Sequence, residues 1–594
     1  MTITHFPRPQ FIRNDWQSLD GAWQFAFDDD NKGLQEHWFK GYNFPLTINV
    51  PFAYQTERSG VHDPSFHDVV WYERTFDVPS DWSERVILHF NAVDYETAVY
   101  VNDQLVGTHI GGQTPFSFDI TDVLNHGEER VSVRVFDPST DETIPRGKQF
   151  WQEAPDSIWY TRTTGIWQSV WLEHVPHASL QRVRMTPDLD QGEIRLAYDV
   201  SPGAVGLTLE TEISFQGELI TLEQTRLVST TGKRAVNVLG PHIFHTNFHH
   251  DGRTWTPENP NLFDIVFRLK DGERIVDEVT SYFGMRKIHT EGGMFYLNNK
   301  PYYQKLVLDQ GYWRESLLTP PSDDALKRDI ELAKEMGFNG CRKHQKVEDP
   351  RFLYWADHLG YLVWGESAAS AFYTEDAAAR LTREWIEIVE RDYNHPSIVA
   401  WVPLNESWGI PLVRSDSMQQ HHSQAMYHLI HSIDGTRPVI SNDGWELTVT
   451  DLCAIHNYNH GQADETEKYE VYKQDLATTE SLLTSQPARR RIYANGFSHQ
   501  GEPILLTEFG GIGYKIGGDA GWGYTSVSDG ETFVKDYARI MDAVYASRAL
   551  HGYCYTQLTD VEQEINGLLT YDREPKVPLE AIRQINDQWH HEIR

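Results

Sequence analysis

Two glutamates in this chain of 594 residues, Glu406 and Glu508, each follow a strongly apolar run. IVAWVPLN precedes Glu406, PILLT precedes Glu508, and a similar run ends at Glu366, which we interpret as structural. A carboxylate at the end of a rigid apolar segment is partly removed from water, which shifts its pKa. Glycoside hydrolysis needs two such carboxyl groups. Two structural carboxylates paired with arginine or backbone would give the same pattern, so spacing alone leaves both interpretations open.

The segment that carries these glutamates alternates apolar runs with helical periods. Ser322 begins SDDALKRDIELAKEMG, which predicts an amphipathic helix with Ser322 as its N-cap and Gly337 as its stop. The strand candidates are YYQKLV, FNGCR, YLVWGE, IVAWVPLNE, PVISND, CAIHNY, ILLTEFG and GYCYTQL. Eight strand–helix units in about 300 residues predict a catalytic TIM barrel over residues 288–594. Catalytic residues of that fold lie at the C-terminal ends of strands.

The chain before residue 288 has only strand patterns. Residues 1–175 contain short alternating stretches such as AWQFAF and TAVYVND, separated by turn residues, which predict a jelly roll. The pattern restarts over residues 176–287 with IRLAYDV and FDIVFRL, which predict a smaller, immunoglobulin-like β-sandwich. The predicted fold is therefore multidomain, with two N-terminal β-sandwiches followed by a TIM (β/α)8 barrel.

The charge of the chain excludes several classes of partner. Its 52 basic and 86 acidic side chains give a formal net charge of −34, which would repel phosphate backbones and anionic lipid surfaces. We therefore predict no nucleic-acid and no membrane partner. No apolar run approaches the roughly 20 residues that span a bilayer, and the start MTITHFPRPQF does not resemble a secretory signal. We expect a cytoplasmic protein.

The cysteines and a histidine cluster give no metal signature. The three cysteines are odd in number and widely spaced, so they are predicted to be buried thiols. Four histidines near residue 245 match metal-ligand spacing only loosely, and we interpret them as part of a solvated loop. The cysteines are Cys341, Cys453 and Cys554, and the histidines are His242, His245, His249 and His250. We predict no metal ion and no other cofactor.

Longer motifs make the chain resemble glycoside hydrolase family 2 over essentially its whole length. RDYNHPSIVAWVPLNES (391–407) is similar to the family's signature around its acid/base, and TEFGG (507–511) to its nucleophile signature. LDGAW (19–23), WYERTFDVP (71–79) and TTGIWQSVWLE (163–173) look like its sugar-binding jelly roll. The resemblance implies a retaining, exo-acting β-glycosidase.

The resemblance also implies roles for individual residues. Glu406 would be the general acid/base and Glu508 the nucleophile. Asn405 would bond the sugar 2-hydroxyl, an interaction that strengthens in the transition state. Tyr458, in AIHNY, would bond and orient the nucleophile, and Arg342 would keep the nucleophile ionised by its opposite charge.

The residues that would recognise the sugar depart from the better-known members of the family. The Asn-x-Lys element with which β-glucuronidases hold the glucuronate carboxylate is absent, because Asn566 is followed by Gly567 and Leu568. We therefore predict a neutral terminal β-linked sugar, with galactoside first. The predicted sugar-binding residues are Asn405, Tyr458, Arg342, His344, Asp309, Gln310, Trp522 and Gln557.

Other functions stay open at this point. The chain could be a catalytically silent carbohydrate-binding protein on the same fold, although Glu406 and Glu508 together with Asn405 and Tyr458 favour an enzyme. The sugar could also be another one, such as a β-glucuronide or an α-L-arabinoside. Hydrolysis with inversion would need a wider gap between the carboxyl groups. The predicted partner is an oligosaccharide or glycoside substrate, and homo-oligomer formation is left open.

Overall fold

A computed structural model describes residues 6–239, 252–517 and 521–588. Two β-sandwiches come first and a barrel of parallel strands follows. The predicted fold class is confirmed. The cluster formed by His242, His245, His249 and His250 lies outside the described residues. Among the described helices none is both long and apolar enough to cross a membrane.

The first sandwich packs a sheet of four strands against a sheet of six, all antiparallel. Alternate side chains such as Trp23, Phe25 and Val133 point between the sheets and are fully buried. In sheet order the strands are Trp16–Ser18, Val170–Val175, Arg85–Phe90 and Phe116–Asp119, then Leu46–Val50, Gly21–Phe27, Val69–Asp77, Glu128–Phe136, Glu96–Val101 and Gln104–Ile110.

The second sandwich is smaller, and its described residues form a sheet of three strands that faces a sheet of four. Its own apolar core includes Ile194, Ile213 and Phe263. In sheet order the strands are Leu180–Asp188, Glu193–Val200 and Thr231–Asn237, then Glu218–Arg226, Thr208–Phe215, Phe263–Asp271 and Arg274–Phe283. We propose domain boundaries near residues 175 and 287, because a sandwich strand ends close to each position.

The barrel sheet contains seven regular parallel strands. Runs such as IVAWV and ILLTE are buried at every position, as expected for strands covered on both faces. In sheet order the strands are Ile398–Val402, Leu362–Glu366, Gly340–Lys343, Gln304–Asp309, Leu550–Tyr555, Ile504–Glu508 and Cys453–His456. They include all the predicted barrel strands except PVISND.

PVISND closes the barrel but does not form a regular strand. Its backbone makes parallel bridges from Val439 to Trp401 in the fourth strand and from Asp443 to Asn405, just beyond the end of that strand. On the other side, the Asp451 carboxylate accepts the Val439 N–H at 2.8 Å and the Thr450 hydroxyl accepts the Ser441 N–H at 3.4 Å. These side chains satisfy donors that a neighbouring strand would otherwise bond. The prediction of a regular strand at PVISND was therefore wrong, because the segment forms only isolated bridges.

The barrel helices lie where strand–helix alternation predicts them. The Ser322 hydroxyl accepts the Ala325 N–H and caps the first helix, and Gly337 follows its end with φ +87°. The helices are Asp323–Glu335, Pro350–Leu359, Glu375–Asp392, Ser417–Ile433, Thr466–Leu476, Thr479–Thr484, Gly530–Ala546 and Leu579–Asn586. The three cysteines are free and buried, as predicted.

A loop of the first sandwich reaches the mouth of the barrel. The N–H groups of Arg146 and Gly147 donate to the Ala369 carbonyl at 3.1 and 3.0 Å. Gly147 has φ +60°, and a Cβ added there would lie 2.5 Å from the Gln345 carbonyl oxygen. The close approach therefore requires glycine. It brings the next residue, Lys148, to the barrel mouth.

Candidate active site

Glu508 is the last residue of a fully buried barrel strand, Ile504–Glu508, and is itself 5% exposed. Its Oε1 accepts a hydrogen bond from Arg342 Nη1 at 3.1 Å, and its Oε2 accepts one from the Tyr458 hydroxyl at 2.8 Å. These donors come from the ends of two other strands. The carboxylate is thereby fixed in one orientation with both oxygens occupied.

Arg342 is completely buried at the centre of the site. Its guanidinium donates to Glu366 Oε1 at 2.5 Å and to Asn405 Oδ1 at 3.0 Å, as well as to Glu508. Burial alone would lower its pKa, but the carboxylates of Asp443, Glu366 and Glu508 raise that pKa well above its usual value. Arg342 therefore carries a fixed positive charge behind Glu508.

Glu406 lies four residues beyond the end of its strand, Ile398–Val402, in a turn. Glu406 and Ser407 both adopt left-handed backbone conformations, with φ +52° and +62°, which are costly for residues other than glycine. The turn is held because the Glu406 N–H donates to the Asp443 carbonyl at 2.9 Å and the Ser407 N–H to Asn442 Oδ1 at 3.0 Å. The expectation that Glu406 stands on a strand end was therefore only approximate.

His456 lies between the two glutamates, and sequence reasoning gave it no role. Its Nδ1 is 2.8 Å from Glu406 Oε1 and 3.3 Å from Glu508 Oε2, while Nε2 is 2.8 Å from Asp443 Oδ1. Burial would lower the pKa of His456, but Glu508, Asp443 and Glu406 together raise it to about 10. The only signal in the sequence was its place at the end of the strand candidate CAIHNY.

The two carboxyl groups are close. One oxygen of Glu406, one of Glu508 and one ring nitrogen of His456 all lie within 4.8 Å of one another. Three such groups could hold a metal ion at this spacing. Their atoms are already paired with one another and with Tyr458, Arg342 or Asp443, and we do not identify them as metal ligands.

Asn405 and His344 flank this pair. Asn405 Oδ1 accepts from Arg342, which leaves its amide N–H₂ group for another acceptor. His344 Nδ1 lies 3.1 Å from Glu366 Oε2, and its Nε2 lies 4.0 Å from Glu508 Oε1. Glu366 thus bonds Arg342 and His344, which fits its interpretation as a structural residue.

Gln310 and Gln557 are joined by a hydrogen bond between their side-chain amides, whereas Asp309 forms a separate ion pair. Gln310 Nε2 donates to Gln557 Oε1 at 2.9 Å, and Gln557 Nε2 donates to Asn566 Oδ1 at 2.6 Å. Asp309 is buried and pairs with Lys343 Nζ at 2.8 Å. Burial raises and Lys343 lowers the pKa of Asp309, with a net lowering. Its carboxylate is therefore committed to an internal ion pair.

The Gly-rich loop after Glu508 brings a second aromatic, Tyr524, to the site beside the predicted Trp522. Tyr524 stacks on Tyr458 with ring centroids 3.5 Å apart. Trp522 lies behind Tyr524 at 5.4 Å, and its indole N–H donates to the Ser157 carbonyl at 3.1 Å. Trp522 thus joins the loop to the first sandwich. Tyr524, which was not predicted from the sequence, contacts Tyr458, the hydrogen-bond partner of Glu508.

The first sandwich adds charged and aromatic groups at the barrel mouth. Trp159 packs against Trp408, two residues after Glu406, with centroids 4.8 Å apart, and the Tyr160 hydroxyl donates to Glu564 Oε2. Lys148 is 6% exposed and lies over the rings of Trp159 and Tyr160. No acceptor in the described part of the chain hydrogen bonds its ammonium group.

Glu564 is a third carboxylate near the mouth. Burial raises its pKa, against the opposing effects of Lys148, Tyr160 and Gln557. Gln557 Nε2 lies 3.3 Å from its Oε2, so Glu564 continues the amide chain of Gln310 and Gln557. The site therefore combines two close carboxylates, a third carboxylate, Glu564, and Lys148 from the first sandwich.

Three family models match consecutive parts of the chain. "Glycosyl hydrolases family 2, sugar binding domain" matches residues 16–176, "Glycosyl hydrolases family 2" matches 178–286, and "Glycosyl hydrolases family 2, TIM barrel domain" matches 288–591. A solved structure of a β-glucuronidase from Ruminococcus gnavus has a TM-score of 0.79 and 20% identity, and covers 99% of both chains. That likeness supports the fold.

Curated relatives carry two kinds of name. A β-glucuronidase from Paenibacillus borealis is 26% identical over 98% of both chains. A putative β-glucuronidase from Formosa agariphila is 27% identical over 71% of this chain and 50% of its own length. A β-galactosidase from Leuconostoc mesenteroides is 25% identical over 85% of this chain and 49% of its own length. The chain thus spans about half the length of two of these relatives.

Proposed function

Since this chain belongs to glycosyl hydrolases family 2, we propose that it is a retaining exo-β-glycosidase that removes a terminal β-linked sugar. Glu508 is the nucleophile and Glu406 the general acid/base. The observation that carries the proposal is the pair of carboxylates, which lie within 4.8 Å of each other. Retaining enzymes place them about 5–5.5 Å apart and inverting enzymes about 6.5–9.5 Å apart. The short separation favours retention.

The reaction proceeds in two displacements. Glu508 attacks the anomeric carbon while Glu406 protonates the leaving oxygen, and a covalent glycosyl ester forms. Glu406, now a carboxylate, takes a proton from water, which attacks the anomeric carbon and releases Glu508. Arg342 and Tyr458 hold the Glu508 oxygens through both steps, and the amide N–H₂ group of Asn405 donates to the sugar 2-hydroxyl.

Lys148 supports a β-glucuronide as the first substrate. The residue is 6% exposed, no described residue accepts a hydrogen bond from its ammonium, and a glucuronate carboxylate would provide an acceptor. The relative matched over 98% of both chains carries the name β-glucuronidase. Lys576 does not compete for this role, because it donates to Asp560 Oδ1 at 2.7 Å and the Ile565 carbonyl at 2.8 Å. This order differs from the sequence-based expectation, which placed galactoside first.

A neutral β-galactoside is the second candidate, and Glu564 favours it. A buried carboxylate beside Gln557 would repel a uronate but accept hydrogen bonds from sugar hydroxyls. Other relatives are named β-galactosidase. The two candidates therefore differ in which charge dominates the pocket, Lys148 or Glu564.

A panel of aryl glycosides tests the proposal. Purified protein would be assayed with the β-glucuronide, β-galactoside, β-glucoside, β-mannoside and α-L-arabinoside, and the first-formed anomer followed by proton NMR. We expect β-glucuronide hydrolysis with the β anomer formed first. Galactoside turnover alone would favour the second candidate. Sugar binding without hydrolysis of any glycoside would support a catalytically silent binding protein, and a first-formed α anomer would support inversion.

A further inference from the structure

His456 touches both reacting carboxylates, yet the double displacement described above does not use it. Its ring is fully buried, with Nδ1 facing Glu406 Oε1 at 2.8 Å and Glu508 Oε2 at 3.3 Å. Nε2 faces Asp443 Oδ1 at 2.8 Å, and that same oxygen accepts from the Thr507 hydroxyl at 2.5 Å. The ring orientation is thus fixed from both sides.

The charged groups around His456 come from several barrel elements. Arg342 Nη1 lies 3.3 Å from Nε2 and is the only cation in hydrogen-bonding range of the ring among the described residues. Three carboxylates face the ring, from the turn after the fourth strand, the irregular fifth segment and the seventh strand. They are Glu406, Asp443 and Glu508. Trp445 covers one side of the ring, with centroids 5.6 Å apart. Carboxylates therefore outnumber cations around the imidazole.

We propose that His456 is a positioning residue that stores the catalytic proton on Nδ1 in the resting enzyme and passes it to the leaving group through Glu406. This inference rests on the proposed glycosidase function and deepens it. In the resting state Glu406 and Glu508 are carboxylates and His456 is an imidazolium. Asp443 keeps the second proton on Nε2 throughout, so only the Nδ1 proton moves.

The proton and the electrons balance over the cycle. Nδ1–H gives its proton to Glu406, which protonates the glycosidic oxygen as its bond to the anomeric carbon breaks. Glu508 donates an electron pair to that carbon and becomes an ester. Water then attacks the anomeric carbon, its proton passes through Glu406 back to Nδ1, and Glu508 leaves as a carboxylate. One water is consumed and the resting protonation state is restored.

The charge of Glu508 couples the proton transfer to the attack. Among the groups that raise the pKa of His456 to about 10, against the lowering effect of burial, Glu508 is the strongest. When Glu508 becomes a neutral ester this attraction disappears, and the imidazolium becomes a better acid as the leaving oxygen needs a proton. The combined charge of Glu406, His456 and Glu508 is −1 before and after the attack.

The resting state of Glu406 fits this arrangement. Burial would raise the pKa of Glu406, but the hydrogen bond and the charge of His456 lower it below its usual value. A general acid with a lowered pKa is poorly protonated at neutral pH by itself. His456 Nδ1 holds the proton 2.8 Å from Glu406 Oε1, so Glu406 need not be protonated in the resting enzyme. Glu406 and His456 then titrate as one pair.

The test is the pH dependence of kcat/KM in His456→Asn and His456→Gln, each measured with two leaving groups. In the wild type the basic limb of the kcat/KM profile reports the titration of the Glu406–His456 pair and lies near the His456 pKa of about 10. Either variant must keep the proton on Glu406, so the limb should fall to about pH 6, the range of a buried carboxylic acid. Above that pH an aryl glycoside with a poor leaving group should lose about 10²–10⁴-fold. A dinitrophenyl glycoside, which needs no proton, should lose little.

The control is His431→Asn, which removes another histidine–aspartate pair, His431 with Asp451 at 2.7 Å, on a barrel helix. It should keep the wild-type profile. If the His456 variants do not fold, Asp443→Asn replaces them and should move the basic limb in the same direction. An unchanged limb, or an equal loss for both leaving groups at every pH, would overturn the proposal. A wild type inactive on every glycoside would instead refute the glycosidase function itself.

Discussion

The two halves of the active site are built in different ways. Glu508 ends a buried strand, and its partners Arg342 and Tyr458 come from the ends of two other strands of the same barrel. The other half is made of turns and loops. Glu406 stands in a strained turn, and Lys148 comes from another domain.

Apart from Glu406, which a turn carries, the difference separates the residues that react from those that recognise the sugar. Barrel strands are fixed by continuous hydrogen bonding, so the nucleophile and its partners hold one geometry for any substrate. Loops can change without disturbing the barrel, so the groups that select the sugar are carried there. We expect substitutions of the strand-held residues and of Glu406 to affect every sugar, and substitutions of a sugar-contacting loop residue such as Lys148 to depend on the sugar.

Glu508→Gln should give the largest effect and test the strand-held half. Loss of the nucleophile should lower kcat by about 10⁴-fold or more with every glycoside, because no covalent intermediate can form. Mass spectrometry of protein treated with a 2-fluoro glycoside should detect no adduct. The control is Glu502→Gln, at the opposite end of the same strand, which should retain activity. Turnover by Glu508→Gln at the wild-type rate on any substrate would contradict the division into two halves.

Lys148→Met tests the loop-held half. Removing a charged hydrogen bond of about 1.5–3 kcal/mol should lower kcat/KM for an aryl β-glucuronide by about 10–100-fold. The aryl β-galactoside should change by less than about threefold, and Lys148→Arg should retain most glucuronide activity because it keeps the charge. Equal losses with both sugars would mean that Lys148 does not recognise a carboxylate.

Tyr458→Phe should have a smaller effect that does not depend on the sugar. It removes one hydrogen bond to the Glu508 carboxylate, worth about 1.5 kcal/mol at the low end for a charged group, so kcat/KM should fall about tenfold for all substrates. Tyr427→Phe is the matched control, because its hydroxyl also bonds a carboxylate, Asp451 at 2.7 Å, away from the site. A sugar-dependent loss in Tyr458→Phe would contradict the division into two halves.

The smallest effect is expected from Trp522→Ala at the rim. Its indole bonds the Ser157 carbonyl and does not touch the catalytic carboxylates. We expect kcat/KM to change by less than about threefold. Tyr524→Ala should cost more, about two- to tenfold, because its ring stacks on Tyr458. Steady-state kinetics on one substrate compare the two, and the reverse order would favour Trp522 over Tyr524 as the residue that contacts the sugar.

The same division explains what the sequence could predict. Apolar runs that end in a carboxylate identify strands and the residue at their end, so Glu508 and the barrel were accessible from the pattern. PVISND also has an apolar pattern, yet Asp451 and Thr450 take its backbone donors, which no local signal reveals. Contacts across domains were equally hidden, because Lys148 reaches the barrel only through the close packing at Gly147.

His456 is a third feature that the sequence alone could not predict. It stands in a strand that was predicted, two residues before Tyr458. Its side chain matters because the strand register places it between Glu406, 50 positions earlier in the chain, and Glu508, 52 positions later. A histidine in an apolar run is more often an internal hydrogen-bonding residue. Only the positions of Glu406 and Glu508 on either side give it a chemical role.

Azide rescue of Glu406→Ala tests the assignment of the two glutamates most directly. With a dinitrophenyl glycoside, glycosylation needs no proton and should survive, while deglycosylation should be slow for want of a base. Azide needs no base and should attack from the face opposite Glu508, so turnover should recover and NMR should identify the β-glycosyl azide. If azide instead rescued Glu508→Gln with the β product and left Glu406→Ala inactive, the roles of the two glutamates would have to be exchanged.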